Sequence, residues 1–217
     1  MRATLFDMDG LLFDTEILWH HAEVEIFGSL GVPLGAQEVR STKGMFVTEV
    51  VEFWYSKFPW KGPSLDDVTA RLLDRVGQLV EDGGRILPGA LRALDLTSER
   101  GPIALASSTP IVLIERCLKH FDLADRFVSI HSAEFEPFGK PHPGVFLTAA
   151  VSLHVVPKEC LVFEDSAAGV LAAKAGSMTV VAVPTREDLE QPAFALADLV
   201  LGSLDELSPA WLDGLFV

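Results

Sequence analysis

The sequence predicts a doubly wound α/β domain with a parallel sheet, interrupted near its start by an all-helical insert. Three observations lead there. A short apolar run, Ala3-Thr4-Leu5-Phe6, opens the chain as a single buried strand. Residues from about 15 to 84 carry helical periodicity with no strand signal. From Pro88-Gly89 onward, helical patterns and short apolar runs alternate, as they do where parallel strands have helices on both faces. Residues 1–14 and 85–217 therefore read as one core domain, and residues 15–84 as the insert.

Taken in order, the insert begins after Asp14. Thr15 is placed to cap a helix whose apolar positions are Leu18, Trp19, Ala22, Ile26, Phe27 and Leu30, with Gly31 as its stop. A second helix runs from Val47 to Phe58 and ends before the break at Pro59-Trp60-Lys61-Gly62-Pro63. Ser64 starts a third, with Asp67 in the capping-box position and Val68, Leu72, Val76 and Leu79 behind it. In the core, helices are expected over Ala90–Arg100, Ile111–Phe121, from Pro143 to about Leu153, and Ser166–Ala175 with Gly176 closing it. Strands are expected over Ile103–Ala106, Phe127–Ile130, Cys160–Phe163, Thr179–Val183 and, weakly, Leu199–Leu201. Ser203-Leu204-Asp205-Glu206 reads as the capping box of a terminal helix.

Composition narrows the functional classes. With 49% hydrophobic and 22% charged residues, the chain can bury a full core and has no disordered character. A net charge of −14 excludes the basic footprint of a nucleic-acid surface and disfavours docking on anionic lipid. It leaves an anionic small molecule open, because the field at one site can oppose the net charge. No apolar stretch approaches the length of a membrane span, and the acid at position 7 interrupts the opening run too early for a signal peptide. Two cysteines, Cys117 and Cys160, lie in apolar stretches. A bridge between them stays open, but a reducing cytosol is the simpler setting. The expectation is a soluble cytoplasmic protein, monomeric by default.

The chemistry gathers at strand ends. In an open α/β sheet the ligand sits beyond the carboxyl ends of the strands. Asp7 and Asp9, with Gly10 behind them, follow the first strand. Ser107, Ser108 and Thr109 follow the second, and Glu164 and Asp165 follow Cys160–Phe163. Gly139-Lys140-Pro141-His142-Pro143 leads into a helix between these last two. Each segment has an ordinary reading alone. Asp-x-Asp-Gly makes a turn or half a calcium loop, Ser107 a turn, Lys140 a surface cation, and Glu164-Asp165 a favourable helix start. Together they fit one task. The acids offer oxygens to a divalent hard cation such as Mg²⁺, Ser107 and nearby N–H groups can hold phosphate oxygens, and Lys140 supplies a compact positive charge. Phosphoryl transfer is the chemistry these types share.

At this point the chain resembles a haloacid-dehalogenase-superfamily phosphatase of the β-phosphoglucomutase-like branch. FDMDGLLFDTE, LASSTP, GKPHPGVF and FEDSAAGVLAAKAG carry the resemblance over nearly the whole length. EILWHHAE, VEFWYSKFPWKGPS and the run through LPG are similar to bacterial phosphatases of 2-deoxyglucose 6-phosphate and hexitol phosphates. The resemblance implies a Rossmann-like core and makes the insert a cap that closes over the site. It implies Asp7 as nucleophile, Asp9 as general acid and then base, and Ser107 and Lys140 as phosphoryl ligands. Mg²⁺ would be held by Asp7, the carbonyl of Asp9 and Asp165, with help from Glu164. The substrate expected is a small sugar phosphate, with Glu16, Trp19, Lys43, Gly44, Met45, Ser108 and Lys140 as its contacts.

Other chemistries are weighed on the same residues. A sugar phosphomutase of this branch needs a cap histidine and a cap arginine, and those positions align with Trp19 and Val47. A dehalogenase does without the second carboxylate, whereas Asp9 is present. A phosphonatase needs a Schiff-base lysine in the cap, and none of Lys43, Lys57 or Lys61 stands out. A non-enzymatic binding protein would not need the full acid and lysine set. His20 and His21 read as ordinary helix residues.

Overall fold

The computed structural model describes residues 1–35, 38–39, 42 and 45–215. Among them six strands form one parallel sheet: β1 (Ala3–Phe6), β2 (Ile103–Ser107), β3 (Ser129–Ser132), β4 (Cys160–Glu164), β5 (Thr179–Ala182) and β6 (Leu199–Val200). Their order is β3-β2-β1-β4-β5-β6. The chain thus winds outward in both directions from β1, and the crevice of such a sheet lies at the β1/β2/β4 carboxyl edge. The helices are α1 (Glu16–Ser29), α2 (Val47–Lys57), α3 (Leu65–Gly83), α4 (Ala90–Ser98), α5 (Ile111–His120), α6 (Gly144–Ser152), α7 (Ala167–Ala175) and α8 (Pro209–Leu215).

Strand alternation sorts the core into two layers. Ala3, Leu5, Ala104, Ala106, Val162 and Val180 face α6 and α7. On the other face, Phe6, Leu105, Leu161 and Phe163 join a cluster that runs on into α1, α2 and α3. Phe6 and Phe163 are partners in the β1/β4 register, and their rings stack at 4.8 Å. The same register sets Asp7 beside Glu164, one step past the paired phenylalanines.

The insert leaves and re-enters through two paired connectors. Asp14 N–H donates to the Arg85 carbonyl at 2.9 Å, Leu87 N–H donates to the Leu12 carbonyl at 2.8 Å, and Phe13 bridges Ile86. The Phe13 ring stacks on Phe121 of the core at 4.6 Å. Helix α3 packs against α1, α2 and the core helix α5. Arg116 of α5 reaches across to α3, with Nε 2.7 Å from Glu81 and Nη1 3.0 Å from Asp74.

Most element boundaries agree with the sequence reading to within two residues. The α3 capping box forms as expected: Ser64 Oγ accepts from Asp67 N–H at 3.1 Å, and Asp67 Oδ2 accepts from Ser64 N–H at 3.1 Å. Three readings need correction. The strand expected over Phe127–Ile130 lies at Ser129–Ser132, because Phe127 closes a 3₁₀ turn over Ala124–Arg126 and pairing with β2 begins at Ser129. Ser203 does not cap the terminal helix. Its hydroxyl accepts from Asp205 N–H in a 3₁₀ turn, and α8 starts after Ser208 with Pro209 at its first position. Thr15 precedes α1 but makes no side-chain cap, since its hydroxyl is turned onto Asp9. Cys117 and Cys160 are free and buried, so no bridge joins them.

Candidate active site

The carboxyl edge holds a buried ionic knot. Lys140 Nζ lies 2.6 Å from Asp7 Oδ1, 2.6 Å from Glu164 Oε1 and 3.1 Å from the Ala106 carbonyl. It also sits 4.7 Å above the Phe146 ring. Glu164 is fully buried and accepts from Ser166 N–H and Oγ at 3.0 and 2.9 Å. Two glycines make room for the acids. Gly10 has φ +72°, and a Cβ there would come within 2.3 Å of Asp165 Oδ2. A Cβ on Gly169, in the first turn of α7, would strike the Glu164 carboxyl. The glycine of Asp-x-Asp-Gly is therefore needed for its backbone and for the acid above it.

Ligand oxygens of Asp7, Glu164 and Asp165 all lie within 4.8 Å of one another. Three carboxylates against one lysine leave excess negative charge in a desolvated place, which is the donor set a hard divalent cation requires. The ionisation of Asp7 reflects the same imbalance. Its carboxyl is raised to about 7: burial pushes it up most, Lys140 pulls it down, and the charges of Glu164 and Asp9 push it up. Burial would lower the Lys140 ammonium, but Asp7 and Glu164 hold it above the ordinary lysine value.

Asp9 faces away from this knot. Its Oδ1 accepts from Thr15 Oγ1 at 2.5 Å and from Trp19 Nε1 at 3.2 Å, and its Oδ2 accepts from Thr109 Oγ1. Thr15 and Trp19 flank the first turn of α1, so the insert itself orients this carboxylate. Ser107 is buried, and its Oγ accepts from Thr109 N–H at 3.2 Å.

Above the knot is a cavity of about 680 Å³. Asp7, Asp9, Ser107, Ser108, Lys140 and Asp165 form its floor, while Glu16, Trp19 and Met45 line it from the insert. Lys43 and Gly44 lie outside the described residues. Of the metal set expected, the carboxylates of Asp7, Glu164 and Asp165 cluster; Asp9 is expected there through its backbone carbonyl, which leaves its side chain to bond Thr15, Trp19 and Thr109. Trp19, expected to touch substrate, also holds Asp9 through its indole N–H.

A family model described as haloacid dehalogenase-like hydrolase matches residues 1–176. The chain belongs to the haloacid dehalogenase-like hydrolases. Among curated relatives, it is 43% identical to hexitol phosphatase B of Escherichia coli K12, covering 95% of this chain and 94% of that one. It is 30% identical to validoxylamine A 7'-phosphate phosphatase of Streptomyces hygroscopicus subsp. limoneus, over 95% of each chain. Among solved structures, CbbY of Rhodobacter sphaeroides in complex with phosphate superposes with a TM-score of 0.86 at 26% identity, covering 96% of both chains. β-Phosphoglucomutase of Clostridium difficile does so at 0.84 and 27%, covering all of this chain and 97% of that one.

Glu23 of α1, and Thr185, Arg186 and Glu187 after β5, line the cavity without having been singled out in the sequence, and His20, read there as an ordinary helix residue, lines it too. Glu23 falls four residues after Trp19, where it interrupts the apolar face made by Ala22, Ile26 and Phe27, and a charged residue on a buried face was the signal available.

Proposed function

We propose that this protein is a Mg²⁺-dependent phosphatase of hexose or hexitol 6-phosphates, such as 2-deoxyglucose 6-phosphate, acting through an aspartyl phosphate on Asp7. As a haloacid dehalogenase-like hydrolase with phosphatase relatives, it is a phosphoric monoester hydrolase. The observation that carries the reading is Lys140 bonded to both Asp7 and Glu164 beneath a cavity large enough for a sugar phosphate.

Asp7 attacks phosphorus, and the bond from phosphorus to the sugar oxygen breaks. Asp9 gives that oxygen its proton. Asp9 then takes a proton from water, whose oxygen attacks the phosphoaspartate and releases the Asp7 carboxylate with inorganic phosphate. The hydroxyls of Thr15 and Thr109 suit both states of Asp9, since each can donate to the carboxylate or accept from the acid. Ser107 and Lys140 hold phosphoryl oxygens, and the fixed positive charge of Lys140 supports the charge that develops on them. Asp7, Glu164, Asp165 and the Asp9 carbonyl would hold Mg²⁺, which supplies Lewis-acid neutralisation of the phosphoryl group.

Residues 15–84 act as a cap on the core formed by residues 1–14 and 85–217, and close the site against water while the ester is cleaved. The paired connectors at Leu12–Asp14 and Arg85–Leu87 support a hinge there. The reading includes a monomer in the cytoplasm with no nucleic-acid or membrane partner. Among the described residues no helix is long and apolar enough to cross a membrane.

The test is phosphate release from a panel of sugar phosphates with Mg²⁺ and with chelator. Turnover of hexose or hexitol 6-phosphates that needs the metal and is lost in Asp7→Asn is the expected result. No turnover across the panel would remove the reading. Glucose 6-phosphate formed from β-glucose 1-phosphate without free phosphate would make the protein a mutase.

A further inference from the structure

Two polar atoms in the roof of the cavity have no hydrogen-bond partner among the described residues: Glu23 Oε2 and His20 Nε2. Glu23 is 7% exposed. A buried carboxyl oxygen without a partner is costly, and a bound molecule that completes it is one reason for a chain to keep it. Both residues line the same cavity as Asp7, Asp9 and Lys140, with Val50 and Leu72 as apolar neighbours in the lining.

Helix geometry says what would reach them. Thr15, Trp19 and Glu23 are spaced by four, so they share one face of α1. Thr15 and Trp19 bond Asp9 beside the reacting atoms. Glu23 lies eight residues after Thr15, about 12 Å farther along the axis. A molecule whose phosphate sits on Lys140 therefore presents its opposite end to Glu23. Charge agrees with that orientation. The phosphate end meets an ammonium, and the far end meets a carboxyl, which can bond hydroxyl groups and, once ionised, repels a second phosphate.

We propose that Glu23, with His20 beside it, is the specificity determinant for the end of the substrate remote from its phosphate, binding a terminal hydroxyl of a polyhydroxylated chain and rejecting a second phosphoryl group there. The inference rests on the phosphatase reading and adds the polarity and reach of the substrate.

The test compares, at pH 8, kcat/KM for sorbitol 6-phosphate and for its analogue lacking the hydroxyl at carbon 1, in the parent enzyme, Glu23→Gln and Glu23→Ala. The parent should prefer the full polyol by roughly 10- to 150-fold, the range of one hydrogen bond to a charged group. That preference should fall toward unity in Glu23→Ala and to an intermediate value in Glu23→Gln. A purely structural role would lower both substrates together and leave the ratio as it was. An unchanged ratio in both variants overturns the inference while leaving the phosphatase reading in place. Failure of the parent to hydrolyse either ester, with other members of the sugar phosphate panel turned over, also overturns the inference; only failure across the whole panel overturns the phosphatase reading.

Discussion

Burial holds the Glu23 carboxyl at about 7, well above its ordinary 4.5. The consequence for stability has a definite sign. Between those two values the folded chain keeps a proton that the unfolded chain releases, so stability falls as pH rises through the window and stays lower above it. Glu23→Gln keeps the shape and removes the titration. At pH 8 the metal-free variant should be more stable than the parent by about 2–3 kcal/mol, with the difference shrinking toward zero near pH 4.5. Urea denaturation across that range measures it, and equal stability of the two proteins at pH 8 would show that the carboxyl is solvated in the folded state. A residue that weakens the fold while lining the cavity is what a binding role predicts. Asp7, Asp9, Glu164 and Asp165 were legible in the sequence because each stands at a strand end, where local pattern and topology coincide, and Lys140 because it sits in the Gly-Lys-Pro-His-Pro run that leads into α6. Glu23, and the use of Thr15 on Asp9, were not, because their meaning depends on what a folded helix faces rather than on its own residues.

Elements show the same division. The α3 start was readable because both halves of its capping box lie within four residues and satisfy each other locally. Ser64→Ala should cost about 0.5–2 kcal/mol in chemical denaturation. It should leave the kinetics near those of the parent, since Ser64 is exposed and absent from the cavity lining. Strand β3 was misplaced by two residues because Ser129-Ile130-His131-Ser132 has little apolar signal. It is an edge strand held by pairing with Ala104–Ser107 and by a side-chain cluster in which His131 Nε2 lies 2.9 Å from Ser152 Oγ. Ser203 illustrates a local motif losing to its context: the cap residues were present, but Pro209 set the helix start six residues later.

At the scale of the whole molecule, the sequence divides the chain more sharply than the packing does. The pattern change at Pro88 separates a helical insert from an α/β core, yet one apolar cluster includes Phe27, Trp54, Leu72 and Val76 of the insert together with Phe6, Leu105, Ile114 and Phe163 of the core. Exposed ion pairs such as Arg116 with Glu81 add little to such a contact, whereas buried apolar area contributes about 25 cal/mol per Å². The insert and core should therefore unfold together in one transition. Tryptophan placement makes this measurable. Three of the four tryptophans, Trp19, Trp54 and Trp60, lie in the insert, so fluorescence reports mainly on it, while far-UV circular dichroism reports on all the helices and strands. Melts followed by the two signals should coincide within error in the metal-free protein. Mg²⁺ binding at Asp7, Glu164 and Asp165 should move both curves upward by the same amount, because a ligand of the folded state stabilises the whole cooperative unit. A fluorescence transition that precedes the dichroism transition, or one that stays fixed when Mg²⁺ shifts the other, would mean that the shared cluster does not bind insert to core.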